Sequence, residues 1–212
     1  MQMDFLVKTK RIVKILFRNY VWEIKTHRKV VYLTFDDGPT PQITDWVLQQ
    51  LDKHNAKATF FCIGNNIHNN PEIFRKVINA GHSIGNHTQN HVNGWHIADE
   101  VYDANVSECD SEIRKFEIES KLFRPPYGKL TWSQSKNLKS KGYKIIMWDI
   151  LSADFDHNIT PEKCLDNVLK NVVPGSIIIF NDSVQAFGNL EYVLPKTLQY
   201  LKEKEYECKA IA

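Results

Sequence analysis

From residue 30 onward the chain repeats one pattern: a short apolar run, a turn signal, then apolar residues at helical spacing. Positions 30–35 (Val-Val-Tyr-Leu-Thr-Phe) run into Asp36-Asp37-Gly38-Pro39 and predict a buried strand. Thr40-Pro41 reads as a cap followed by proline at the first helical position, opening a helix to about His54 through Ile43, Trp46, Val47, Leu48 and Leu51. A second strand is predicted at 58–64. Asn70-Pro71 repeats the cap-proline device for a helix ending at Gly81. The same reading gives strands at 82–86, 122–123, 143–151, 176–180 and 206–211. It gives helices at about 97–119, 133–141, 190–204 and after Thr160-Pro161. The two prolines of Arg124-Pro125-Pro126-Tyr127 end the fourth strand.

Alternation of this kind, without repeat or linker, implies an α/β fold with a parallel sheet and helices outside. About seven strand–helix units predict a closed or nearly closed parallel (β/α) barrel, smaller than the eight-unit form. A doubly wound open sheet is the competing architecture.

Residues 5–20 differ from the rest. Leu6, Val13, Leu16, Phe17 and Tyr20 fall near helical spacing among Lys8, Lys10, Arg11, Lys14 and Arg18, a basic amphipathic helix. The favoured expectation is a terminal segment, 1–29, packed on a domain of residues 30–212; weak contact of residues 1–20 with a membrane surface is the other. The net charge of +2 over 212 residues gives no case for nucleic acid. Cys62, Cys109, Cys164 and Cys208 are widely spaced and read as reduced thiols. No apolar run approaches membrane-spanning length or a signal segment. The chain therefore reads as a soluble cytoplasmic monomer, or as extracytoplasmic if an export segment precedes it.

The polar residues carry the chemistry. Asp36, Asp37, His87, Arg124, Asp154, Asn181 and Asp182 all fall at or just past the C-terminal ends of predicted strands. In parallel β/α folds that face holds the active site. Adjacent carboxylates repel, so Asp36 and Asp37 call for separate partners, a cation for one and a proton-transfer task for the other. His87 and His91 are four apart, which on a helical turn sets both imidazoles on one side. With a carboxylate they form a two-His, one-carboxylate set suited to catalytic zinc and to other divalent transition metals.

Thr34-Phe35-Asp36-Asp37-Gly38-Pro39, His87-Thr88-Gln89-Asn90-His91 and Arg124-Pro125-Pro126-Tyr127 resemble, in order, the first three motifs of the polysaccharide deacetylases, carbohydrate esterase family 4 or the NodB homology domain. The resemblance spans about residues 30–211. It implies a distorted (β/α) barrel and metal-dependent removal of acetyl groups from glycans of chitooligosaccharide or peptidoglycan type. Asp37, His87 and His91 would hold the metal, Zn²⁺ first and Co²⁺, Ni²⁺ or Mn²⁺ as alternatives. Asp36 would be the general base, Arg124 its partner keeping it ionised, and the Tyr127 backbone N–H an oxyanion donor. Pro126, Tyr127 and Trp148 would line the substrate site, with Phe155 beside Trp148; a core role is equally open for Trp148.

Two departures stand out. Where the fourth motif usually carries an acidic residue and a closing Trp, this chain has Leu151 and Phe155, while Asp154 remains to orient the charged groups near it. The fifth motif ends in His, the family's general acid; here it is Ile179-Phe180-Asn181. Asn cannot donate a proton with a useful pKa. Amide cleavage suffers more from that loss than ester cleavage, so an O-acetyl glycan esterase and a catalytically silent glycan- or metal-binding domain are the alternative readings. Asp182 is expected to face the opposite side of its strand.

Overall fold

The computed structural model describes residues 7–212. Its centre is β1 (Val30–Asp36), flanked in parallel by β2 (Ala58–Cys62) and β7 (Ile177–Asn181). Outward from β2 lie β3 (Ser83–Asn86), β4 (Leu122–Phe123) and β5 (Lys144–Ile145); beyond β7 lies β6 (Ile150–Leu151). A short β8 (Glu207–Cys208) pairs with the start of β1. All these named-strand pairings are parallel, and the sheet curls into a distorted, incompletely closed (β/α) barrel.

Side-chain alternation on β1 explains the layers. Leu33 and Phe35 point outward into the main core, with Val47 and Leu51 of α2 (Ile43–Lys53) and Leu190, Val193 and Leu194 of α8 (Phe187–Glu203). Thr34 and Asp36 face the barrel interior, where Arg124 reaches both. The remaining helices are α1 (Arg11–Leu16), α3 (Gly64–Asn69), α4 (Pro71–Asn79), α5 (Asp99–Arg114), α6 (Trp132–Ser140) and α7 (Pro161–Leu169).

Two local expectations change, and one cap is as expected. The run 143–151 is not one strand. The Ile146 and Met147 carbonyls accept hydrogen bonds from the Arg124 guanidinium, at 3.2 and 2.9 Å, instead of from a neighbouring strand. The chain therefore kinks between β5 and β6. Thr40 does not cap α2, which starts later, after Gln42 at φ 67°. Thr160 does cap α7, donating no proton but accepting one from the Lys163 N–H at 3.2 Å.

The N-terminal segment straps this kinked seam. The Val21 N–H donates to the Ile145 carbonyl at 2.9 Å, and the Val21 carbonyl accepts from Met147 N–H at 2.8 Å. On the other side Thr9 N–H donates to the Asp149 carbonyl at 2.9 Å and Leu151 N–H to the Val7 carbonyl at 2.9 Å. Lys8 and Lys14 place their ammonium groups 2.5 and 2.6 Å from the two oxygens of the buried Asp149 carboxylate. The segment meets the rest of the chain through these backbone bonds and lysines and, after α1, through Tyr20, Trp22, Val21 and Ile24, which pack against core clusters. The helix expected over 5–20 is only the six residues of α1, none buried, and Leu6 lies outside the described residues.

Candidate metal centre and active site

Asp36 and Asp37 leave β1 in opposite directions. Asp36, the last strand residue, turns inward and is 3 % exposed. Its Oδ1 accepts from Arg124 Nη1 at 2.7 Å, and the same nitrogen donates to Thr34 Oγ1 at 2.7 Å. The guanidinium also lies 4.2 Å from the Phe61 ring centre. Burial raises the Asp36 carboxyl above its usual range, and Arg124 offsets this without reversing it. The expectation that Arg124 keeps Asp36 ionised is therefore refined: the pair leaves a carboxylate of increased basicity.

Asp37 breaks away with φ 81°. Its carbonyl accepts from Asn66 Nδ2 at 2.6 Å, and the next amide, Gly38 N–H, donates to Asp182 Oδ1 at 3.1 Å. The turn is thus tied to α3 and to the end of β7. Asp37 Oδ1 is buried and has no hydrogen-bond partner. It lies 3.7 Å from His87 Nε2 and 3.3 Å from His91 Nε2.

The two histidines meet without a helix. Residues 87–93 form an irregular loop after β3, with Thr88 at φ 65° and His91 at φ 54°, and the rings sit 5.0 Å apart. His87 Nδ1 lies 2.7 Å from the Arg124 carbonyl, which can only accept, so Nδ1 carries the proton and Nε2 offers its lone pair. Burial above all, with His91 adding to it, lowers the His87 pKa to about 3, so the ring is neutral. One ligand atom each from Asp37, His87 and His91 falls within 4.8 Å of the others. An orphaned carboxylate oxygen facing the His87 Nε2 lone pair, with His91 Nε2 beside it, fits a divalent cation.

Asn181 stands beside this set. β1 pairs Asp36 with Asn181, and the Asn181 side-chain N–H donates to Asp37 Oδ2 at 3.0 Å. The Asn181 backbone N–H donates to Asp154 Oδ2 at 2.9 Å. Asp154 is buried, its other oxygen lacks a partner, and burial lifts its pKa to about 8. Asp182 faces away as expected. It accepts from Gly38 N–H and from Thr44 Oγ1 at 2.5 Å, and burial holds its carboxyl well above the ordinary range. Sequence reading missed this clamp, and missed Asn66; the only written signal was the polar pair at the end of an apolar strand.

On the rim, Tyr127 is 60 % exposed with its ring 4.6 Å from that of His91, while Pro126 is buried. Tyr127 sits at φ 58° and Gly128 at φ 65°; a Cβ on Gly128 would lie 2.8 Å from the Trp148 ring. Trp148 therefore backs the Tyr127 turn while packing on two core clusters, and Phe155 joins the one that holds Leu151.

A family model described as polysaccharide deacetylase matches residues 23–146, a span that contains Asp36, Asp37, His87, His91, Arg124 and Tyr127. The chain belongs to the polysaccharide deacetylases. It is 34 % identical over 186 residues to a peptidoglycan-N-acetylglucosamine deacetylase of Bacillus cereus, covering 87 % of each chain. It is 37 % identical over 194 residues to a chitooligosaccharide deacetylase of Azorhizobium caulinodans, covering 81 % of this chain and 90 % of that one. A solved peptidoglycan N-acetylglucosamine deacetylase in complex with 4-naphthalen-1-yl-N-oxidanyl-benzamide superposes with a TM-score of 0.86 at 30 % identity, covering 91 % of both chains. Asp154 and Asn181 of this deacetylase family member fall beyond the span of the family match.

Proposed function

We propose that this chain is a metal-dependent hydrolase that removes acetyl groups from an N-acetylated glycan, with proton delivery to the leaving amine as its weak step. The observation that carries the reading is the convergence of Asp37 Oδ1 and two imidazole nitrogens within 4.8 Å, next to the buried Asp36–Arg124 pair. The names of the relatives support a glycan of peptidoglycan or chitooligosaccharide type. Exposed aromatic side chains at Tyr127 and Trp95 in the loops after β4 and β3 suit a sugar surface.

Asp37, His87 and His91 would hold the ion, zinc being the first choice and cobalt, nickel or manganese compatible with the same donors. When bound, the ion supplies Lewis acidity, polarising the acetyl carbonyl and making water acidic enough to lose a proton near neutral pH. Asp36 accepts that proton; its raised pKa makes it a better base than an exposed aspartate. Arg124 fixes the carboxylate in place with bonds that also hold the 146–147 kink. The Tyr127 backbone N–H would donate to the oxygen that gains charge in the transition state.

The leaving amine then needs a proton. Asn181 has none to give, and its amide is committed to Asp37. Asp182, bound to Gly38 and Thr44, is turned away.

The test is acetate release from an N-acetylglucosamine oligomer with zinc supplied, comparing the protein with its Asn181→His form. Turnover that rises about 100- to 10,000-fold in the His form supports the reading. Equal activity in both forms assigns proton delivery to another group. Silence of both forms, with zinc bound, overturns the N-acetyl reading, and O-acetylated glycans become the substrate to try.

A further inference from the structure

The strap across the barrel seam carries a helix turned the wrong way for a packed element. Along α1 the residues Ile12, Ile15 and Leu16 share one face, and Lys14 lies on the opposite one. In a docked amphipathic helix the apolar face meets the protein and the charge meets water. Here Lys14 points inward and binds Asp149 at 2.6 Å and Glu23, while the apolar residues point out. Ile12 is 58 %, Ile15 55 %, Leu16 70 % and the following Phe17 50 % exposed.

The orientation is fixed from both flanks. Lys8 and Thr9 hold the approach: Lys8 Nζ donates to the Asn171 carbonyl at 2.8 Å, and Thr9 Oγ1 to the Trp148 carbonyl at 2.8 Å. Beyond the helix, Trp22 Nε1 donates to the Phe17 carbonyl at 3.0 Å, the Tyr20 ring stacks 5.9 Å from Phe17, and Val21 joins the seam. A rotation of α1 that buried the apolar stripe would strip Lys14 from Asp149 and Glu23. The stripe is therefore presented to solvent by the fold itself.

Its surroundings select the partner. Lys10, Arg11 and Arg18 flank the stripe and are exposed, and residues 1–29 carry eight Lys/Arg against two Asp/Glu. A protruding apolar ridge rimmed by cations matches the surface of a bilayer rich in anionic phospholipid, where side chains enter the acyl boundary and the cations meet headgroup phosphates. We propose that Ile12, Ile15, Leu16 and Phe17, with Lys10, Arg11 and Arg18, form a peripheral docking surface for an anionic membrane. This surface is independent of the catalytic reading.

The experiment is vesicle co-sedimentation of the full chain with phosphatidylglycerol/phosphatidylcholine vesicles and with phosphatidylcholine alone. The comparison is with Leu16→Ser/Phe17→Ser and with Lys10→Glu/Arg11→Glu/Arg18→Glu. The expected result is binding to the anionic vesicles that falls about tenfold or more in either variant and in high salt. Phe17 stacks on Tyr20, so Leu16→Ser alone, at a position 70 % exposed, and the charge variant are the forms whose melting temperature should match the parent's, which separates lost binding from lost fold. Equal recovery with and without vesicles overturns the proposal. So does binding indifferent to the substitutions, or a concentration-dependent dimer in vesicle-free solution that Leu16→Ser/Phe17→Ser abolishes.

Discussion

Asn181 stands where the family resemblance implies an acid, yet its amide grips a carboxylate that the proposed metal site would use. Removing that grip in Asn181→Ala should weaken zinc or cobalt binding about 10- to 100-fold by calorimetry, whatever happens to turnover. Asp154 beside it should set a pH dependence of stability in the metal-free protein. Its carboxyl titrates near 8 in the fold but near 4 when unfolded, so its contribution is complete below about pH 4 and is lost as pH rises through 8. Denaturation curves of Asp154→Asn should decline less between those limits than the parent's; an unchanged slope would place the titration elsewhere. Arg124 is a harsher case. Arg124→Met leaves Asp36 buried without its partner and frees two carbonyls of the kink, and chemical denaturation should show a loss of about 3–5 kcal/mol.

At the scale of elements, the site depends on how the β1 turn is tied down. Gly38 leaves no room for a side chain, since a Cβ there would lie 2.0 Å from Asp182 Oδ2. Asp182→Ala should therefore cost about 1–3 kcal/mol for each of the Gly38 and Thr44 donors it strands, and should weaken metal binding through a loosened Asp37. Calorimetry of metal binding at a temperature where the variant stays folded separates the two effects. These ties mark the boundary of what the chain discloses in one dimension. Apolar runs ending in Asp36, Asn86 and Asn181 reveal the strands and the face where they end, because period and turn chemistry are local. The kink at Ile146–Met147 is hidden, because it depends on a guanidinium 22 residues away that outcompetes a strand for those carbonyls. The non-helical pairing of His87 with His91 is hidden for the same reason: spacing alone cannot say that Thr88 and His91 adopt positive φ.

Across the whole molecule, the basic N-terminal segment is part of the barrel's closure. Asp149 is buried; burial alone would raise its pKa, but hydrogen bonds from Lys14, Lys8 and Ser176 outweigh that and hold the carboxyl below its ordinary range. Lys8→Met/Lys14→Met should lower the melting temperature by roughly 10 °C near neutral pH. A carboxyl held low contributes stability above its ordinary pKa and loses it as pH falls, so the gap from the parent should close below about pH 4. Charge composition announced this segment, but nothing local showed that its lysines seek a buried aspartate rather than solvent. The order of the chain adds a matter of timing. Asp37 leaves the ribosome first, and the Asn181 amide that bonds it comes 144 residues later. At about 5–20 residues per second, roughly 7–30 s pass between them. A nascent chain carries the Asp37 carboxylate and both imidazoles well before β7, so the candidate metal site is completed only after that strand has emerged and paired with β1.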